Sequence, residues 1–287
     1  MIDLYNKDCF EVFKELPDNS IDLVLTDPPY GTTSIKWDNV LDFEKMWVEL
    51  ERIVKPKGNI ILFGSQPFTS KLINSKIDWF KYELIWNKNK CGSPGLAKIR
   101  PNKVHENIML FSKESGGTYN PIMEKGNPYE RFNPEGYGSG KNTHNYGFGN
   151  KKSTGSKNDG TRYPKSILHS SRNFSAQQTL HPTQKPTSLL NWLIMTYSNI
   201  EDIVLDFTMG SGSTGVSSKL TGRKFIGVEL EQKYYEIAKK RINNISDNTF
   251  EPLVTEQQHQ LTTQLPENIK TKPDTQHEDF SKIIQKS

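Results

Sequence analysis

Apolar residues gather in short clusters over positions 1–112 and again after position 186. Ile21-Asp22-Leu23-Val24-Leu25 is rich in branched side chains and is stopped by Pro28-Pro29, which predicts a buried strand ending in a turn. Leu41, Met46, Trp47, Leu50, Ile53 and Val54 recur on one helical face, so a helix is expected over 41–54, ended by Lys55-Pro56-Lys57-Gly58. Asn59-Ile60-Ile61-Leu62-Phe63-Gly64, Tyr82-Glu83-Leu84-Ile85-Trp86 and Asn107-Ile108-Met109-Leu110-Phe111 read as further strands. Beyond Pro186, itself suited to a first helical turn, the pattern predicts a helix over 187–197, a strand over 203–207, a helix over 213–220, a strand over 224–229 and an amphipathic helix over 231–242. Such strand–helix alternation implies βαβ units and a largely parallel sheet.

Two stretches break the pattern. Residues 113–178 show no period and are rich in Gly, Asn, Ser, Lys and aromatic residues, with more basic than acidic side chains. Residues 247–287 are rich in Gln, Thr and charge, which reads as a solvated tail with a short helix near 280–284.

Composition narrows the class. The chain has 287 residues, enough for one large α/β domain with insertions, and a net charge of +4 that permits nucleic-acid binding without demanding it. Its two cysteines, Cys9 and Cys91, are far apart and in no CxxC pattern, so neither a zinc site nor a disulfide framework is expected, and no metal enters the reading. No basic n-region with an apolar run opens the sequence, and no stretch reaches the roughly 18 apolar residues of a membrane span. The expectation is a cytoplasmic protein of a prokaryote, or of a virus in its host cytoplasm.

Asp206-Phe207-Thr208-Met209-Gly210-Ser211-Gly212-Ser213-Thr214-Gly215 follows a strand and opens a helix, and Glu229 ends the next strand nineteen positions after Gly210. Glycines allow close approach of backbone to a ligand, a helix N-terminus offers unpaired N–H groups, and an acid at the second strand end accepts from a ribose diol. That physics serves NAD, FAD and S-adenosylmethionine alike. A carboxylate at Asp206 favours S-adenosylmethionine, because it would hold the ammonium of a methionine moiety and repel a pyrophosphate. The loop also comes late. Only one strand and one helix follow it, so the remaining strands come from the N-terminal region and the sheet is built in permuted order.

Asp27-Pro28-Pro29-Tyr30 directly follows the strand at 21–25. Two prolines stiffen the turn and remove two donors, leaving the Asp27 carboxylate and the Pro28 carbonyl as acceptors. An exocyclic base amine has two N–H donors to satisfy, and Tyr30 offers a flat face for the base. A sulfonium methyl is already activated, so positioning and electrostatics suffice.

With these motifs in this order, the sequence resembles the β class of DNA amino-methyltransferases over residues 1–244, the middle region excepted. Asn6-Lys7-Asp8-Cys9-Phe10 is similar to that family's adenine-contacting segment, with Asp8 and Cys9 at the cofactor. His181-Pro182-Thr183-Gln184-Lys185-Pro186 is similar to the segment that closes over the methionine end, with Lys185 there. Thr208-Met209 departs from the family's usual pair, and the tail has no counterpart. The resemblance implies an S-adenosylmethionine-dependent methyltransferase fold: α/β, Rossmann-like, with a mixed sheet in circularly permuted order. It implies a catalytic half at 1–112, an inserted target-recognition region at 113–178, a cofactor-binding half at 179–246 and a polar tail at 247–287. Asp206, Phe207, Gly210, Ser211, Gly212, Ser213, Thr214 and Glu229 would then hold the cofactor, and Asp27, Pro28, Pro29 and Tyr30 would act on the base. Lys141, Lys151, Lys152, Arg162, Lys165 and Arg172 are candidate contacts to double-stranded DNA. The target amine lies inside the duplex, so the base must be flipped. N6 of adenine is the expected target, with N4 of cytosine as the alternative. An NAD-dependent oxidoreductase is the alternative from another class, though no proton relay for one stands out. A homodimer and a cognate restriction endonuclease belong to the resemblance, and no residue pattern marks either.

Overall fold

A computed structural model describes residues 1–31, 40–88, 95, 97–132, 155–170 and 184–245. Cys91, Lys141, Lys151, Lys152, Arg172, the segment 181–183 and the expected tail helix at 280–284 lie outside the described residues.

The chain runs β1 (Ile2–Tyr5), α1 (Cys9–Glu15), β2 (Ile21–Thr26), α2 (Phe43–Ile53), β3 (Val54–Gly64), α3 (Phe68–Ser75), β4 (Phe80–Asn87) and β5 (His105–Ser112). Short strands follow: β6 (Glu124–Lys125), β7 (Tyr129–Phe132), β8 (Gly155–Asn158), β9 (Thr161–Arg162) and β10 (Ile167–His169). The last third is α4 (Thr187–Tyr197), β11 (Ile203–Asp206), α5 (Ser213–Leu220), β12 (Lys224–Val228) and α6 (Gln232–Asn243). Eight strands form one sheet in the order β1-β12-β11-β2-β3-β5-β4-β10. All neighbours are parallel except at β5, which is antiparallel to β3 and to β4. The sheet is therefore mixed, mostly parallel and permuted, as expected. Two small antiparallel pairs, β6 with β9 and β7 with β8, occupy the middle region.

The period-two alternation of the central strands splits the core into two layers. Val24, Ile60, Leu62, Met109, Phe111, Leu205 and Ile226 face α1, α2 and α3. Leu25, Ile61, Phe63, Ile108, Leu110, Val204 and Phe225 face α4, α5 and α6. Strands buried on both faces read as unbroken apolar runs, which is why the sequence showed them clearly.

Several elements differ from the sequence expectation. Asp8 caps α1 by accepting from the Phe10 amide at 2.8 Å, and Glu11 in its first turn completes an N-cap signal that a seven-residue helix is too short to show by periodicity. α3 carries three buried residues, Phe68, Thr69 and Leu72, too few for a period to register. Lys55 to Gly58 does not simply end a helix; it begins β3. Ile21 pairs with Val54 and Leu23 with Asn59, so the residues between bulge out of the ladder, which suits a Pro56 without an N–H. β10 pairs with Ile85–Asn87 at the sheet edge although it lies in the stretch without a period. Among the described residues no helix is long and apolar enough to cross a membrane.

The parallel strands β1, β12, β11 and β2 end at one edge of the sheet. From β2 the chain leaves toward α2 on one face, and from β11 toward α5 on the other, so a topological switch lies between two neighbouring strands. β5 runs the opposite way and brings its first residues, His105 and Glu106, to the same edge.

Candidate active site

A cavity of about 510 Å³ opens at that edge, within the usual range for a small-molecule site. Asp8 and Cys9 line it from the β1 end, Asp27 to Tyr30 from the β2 end, Asp206 to Ser211 from the β11 end and Glu229 from the β12 end. Lys185, Ser213 and Thr214 complete it. Two motifs about 180 positions apart thus share one wall, because β2 and β11 are neighbours in the sheet.

The glycine-rich turn is held from several sides. Gly210 donates its amide to Glu229 Oε2 at 2.9 Å, and the other Glu229 oxygen accepts from the Glu231 amide at 2.8 Å. Burial pushes the Glu229 carboxyl up against the pull of those amides. Gly210 and Gly212 have φ of 54° and 77°, the left-handed region that glycine adopts freely. Gly212 does not line the cavity; a Cβ there would meet Ala238 Cβ at 2.8 Å, so its role is to let α5 sit against α6. From α6, the Arg241 guanidinium donates to the Ser211 carbonyl and, at 2.9 Å, to the Ser211 hydroxyl. The sequence reading missed this arginine, which only helix packing brings to the loop.

Asp206 is 3% exposed. Burial pushes its carboxyl up to about 6, against hydrogen bonds from Thr214, Thr26 and the Thr208 amide. The Thr26 hydroxyl lies 2.6 Å from Asp206 Oδ1 and 2.6 Å from the Thr208 hydroxyl, which in turn donates to the Asp27 carbonyl at 3.2 Å. Thr26 donates to Asp206 and Thr208 to the Asp27 carbonyl, so the two hydroxyls bridge the two turns.

Asp27 carries the catalytic expectation, and both of its carboxylate oxygens are engaged. The Tyr30 hydroxyl donates to Oδ1 and the Lys185 ammonium to Oδ2. Burial pushes the Asp27 carboxyl up, with Lys185 pulling it back. Tyr30 rests its ring on Phe68, with centroids 4.9 Å apart, so one face is backed. Lys185 is 6% exposed, lies 4.8 Å over the Phe63 ring and has Glu106 Oε2 at 3.4 Å. Its place is against the catalytic turn. Lys88 donates to the other Glu106 oxygen at 2.8 Å. Glu106 and Lys88 were not foreseen; the one signal was a carboxylate opening an otherwise apolar strand.

Cys9 is buried and burial pushes its thiol up to about 12, so it is an inert lining residue. In the middle region, Arg162 donates to the Asn127 carbonyl at 2.6 Å and the Thr161 carbonyl at 2.8 Å and stacks 4.9 Å from the Tyr129 ring. Its fork is consumed within its own loops. Lys165 is exposed, with Glu124 3.5 Å away.

Known proteins resemble this chain. The chain is 29% identical to the type II methyltransferase M.HinfI of Haemophilus influenzae over 271 residues, covering 84% of this chain and 68% of that protein. It is 27% identical to the type II methyltransferase M1.MboII of Moraxella bovis, covering 85% and 98%. Among solved structures, the M1.HpyAVI–SAM complex superposes with a TM-score of 0.57 at 27% identity, covering 85% of this chain and all of that one. The cytosine-N4-specific PvuII DNA methyltransferase reaches a TM-score of 0.60 at 20% identity, covering 87% and 89%, and shares the fold. The profile of the N-6/N-4 DNA methylases matches residues 21–240. That match spans well over half of the sequence, and on it the chain belongs to the N-6/N-4 DNA methylase family.

Proposed function

We propose that this DNA methyltransferase acts on the exocyclic amine of a flipped base in double-stranded DNA, with N6 of adenine as the target. The observation that carries the reading is the cavity with the Asp206–Thr214 turn and Glu229 at one side and Asp27 to Tyr30 at the other. The groups present fit S-adenosylmethionine: an acid for a ribose diol, a buried carboxylate short of a cation and a helix N-terminus. When bound, it supplies a methyl group on a sulfonium, and no metal is needed to activate it.

Glu229 accepts from the ribose, and Asp206 holds the methionine ammonium. Asp27 and the Pro28 carbonyl accept the two amine protons, which turns the nitrogen lone pair out of conjugation. Tyr30 stacks on the base. The aspartate that opens the motif favours adenine, by the resemblance described above. Lys165 and the basic residues of 113–178 other than Arg162 supply phosphate contacts around the flipped base. A cytoplasmic enzyme, paired with a cognate endonuclease and working as a homodimer, completes the reading; the type II relatives support its restriction–modification setting.

The test is transfer of tritium from labelled S-adenosylmethionine to unmethylated genomic DNA, followed by nucleoside analysis. Label in N6-methyladenosine is expected. Label in N4-methylcytosine would keep the mechanism and overturn the base. Absence of label from both, with the cofactor bound, would remove DNA as the substrate.

A further inference from the structure

We infer that Glu106 is a positioning residue for methyl transfer: it gives the Lys185 ammonium a second anchor, so that Lys185 can leave Asp27 when the target amine arrives. The inference rests on the reading that Asp27 accepts from a base amine.

In the structure Lys185 occupies the Asp27 oxygen that such an amine would need. Lys185 and Glu106 are 6% and 13% exposed, so water offers little to a displaced ammonium. Drawing a buried ammonium away from its carboxylate carries a large desolvation cost unless another carboxylate lies within reach. Glu106 Oε2, 3.4 Å from the ammonium, turns that loss into a short move between two carboxylates. Glu106 is itself fixed, because its other oxygen accepts from Lys88 at 2.8 Å.

The move also suits the charge that develops. As the amine nitrogen bonds to the methyl carbon and the carbon–sulfur bond breaks, positive charge passes from sulfur to nitrogen. The nitrogen then sheds one proton toward Asp27. A lysine drawn toward Glu106 opposes that charge less than one held on Asp27. The other groups facing this site are Tyr30 in the catalytic turn, Asp206 at the end of β11, and Lys103, whose ammonium donates to the Ser65 hydroxyl at 2.5 Å.

Single-turnover methyl transfer to genomic DNA would be followed from pH 5 to 9 in the wild-type protein, Glu106→Gln and Glu106→Asp. For Glu106→Gln, kcat is expected to fall about 10- to 100-fold, as for other small misplacements near a reacting group, with KM for S-adenosylmethionine nearly unchanged. Its acid limb should move to lower pH, because removing a neighbouring negative charge lowers the proton affinity of Asp27. Glu106→Asp should lose part of kcat with the acid limb in place, and it carries the test if the glutamine variant does not fold. Wild-type kcat in either variant would overturn the role of Glu106 and leave the methylation reading standing. Losses that track the folded fraction, with unmoved limbs in Glu106→Gln, would make Glu106 merely structural and also overturn it. No label from the wild-type protein would remove both.

Discussion

The Thr208 hydroxyl donates to the Asp27 carbonyl at 3.2 Å, joining the cofactor turn to the catalytic turn across 181 positions of sequence. Thr26 extends the link to Asp206. The two motifs are thus one hydrogen-bonded unit, joined through the Asp27 backbone carbonyl.

Asp27→Asn keeps the shape of the turn and removes its charge. Methyl transfer should fall about 10²- to 10³-fold, the usual cost of losing one preorganised electrostatic group. Cofactor affinity, measured by calorimetry, should stay nearly unchanged, because the cofactor groups lie on β11 and β12. Comparable loss of cofactor binding would show that Asp27 does not act on the base.

Asp206 predicts a pH dependence. Its carboxyl is pushed up to about 6 from the ordinary 3.8. Between those values the unfolded chain has lost the proton that the folded chain keeps, so stability falls as pH rises through that window, and the deficit is complete above it. Asp206→Asn removes the deficit and should stabilise the cofactor-free protein at pH 7.5 by on the order of 1–3 kcal/mol in urea unfolding. Cofactor affinity should weaken as pH drops below about 6 in the wild-type protein and be weak at every pH in the variant. A pH-independent wild-type affinity would separate Asp206 from the methionine ammonium.

Gly215→Ala tests the packing behind the cofactor turn. A Cβ there would meet Phe225 Cε1 at 2.6 Å and the Ile242 side chain, so α5 must shift. Overpacking of this kind costs about 1–3 kcal/mol. A lowered urea midpoint is expected, together with weaker cofactor binding, because α5 carries Ser213 and Thr214. An unchanged midpoint would mean that α5 rests loosely on the sheet.

Arg162 and Lys165 should behave differently although the sequence presents them alike. Lys165→Ala should reduce the slope of log affinity for duplex DNA against log salt by about one, as for a lost phosphate contact. Arg162→Ala should leave the slope alone and increase protease cleavage within 124–162, because Arg162 bonds to the Asn127 and Thr161 carbonyls. Anisotropy titrations across salt would show an equal slope change in both if Arg162 also contacts phosphates.

The sequence by itself determined the strands buried on both faces, since continuous apolar runs such as Ile60 to Phe63 leave no other placement. It also determined both turns of the site, because Asp27-Pro28-Pro29-Tyr30 and the Gly210 to Gly215 run restrict the backbone locally. The late position of the glycine turn revealed the permuted strand order. Tertiary structure alone decided what each side chain meets. Glu106 reaches Lys185, and Lys88 reaches Glu106, because β5 runs against its neighbours, and antiparallel pairing across the sheet leaves no local mark near Lys185. Arg241 reaches the Ser211 carbonyl through the packing of α6. Arg162, by charge a phosphate contact, is consumed by nearby carbonyls. Local sequence restricts φ and burial, whereas the partner of a charged group depends on strand order and direction, which form only when distant segments pair.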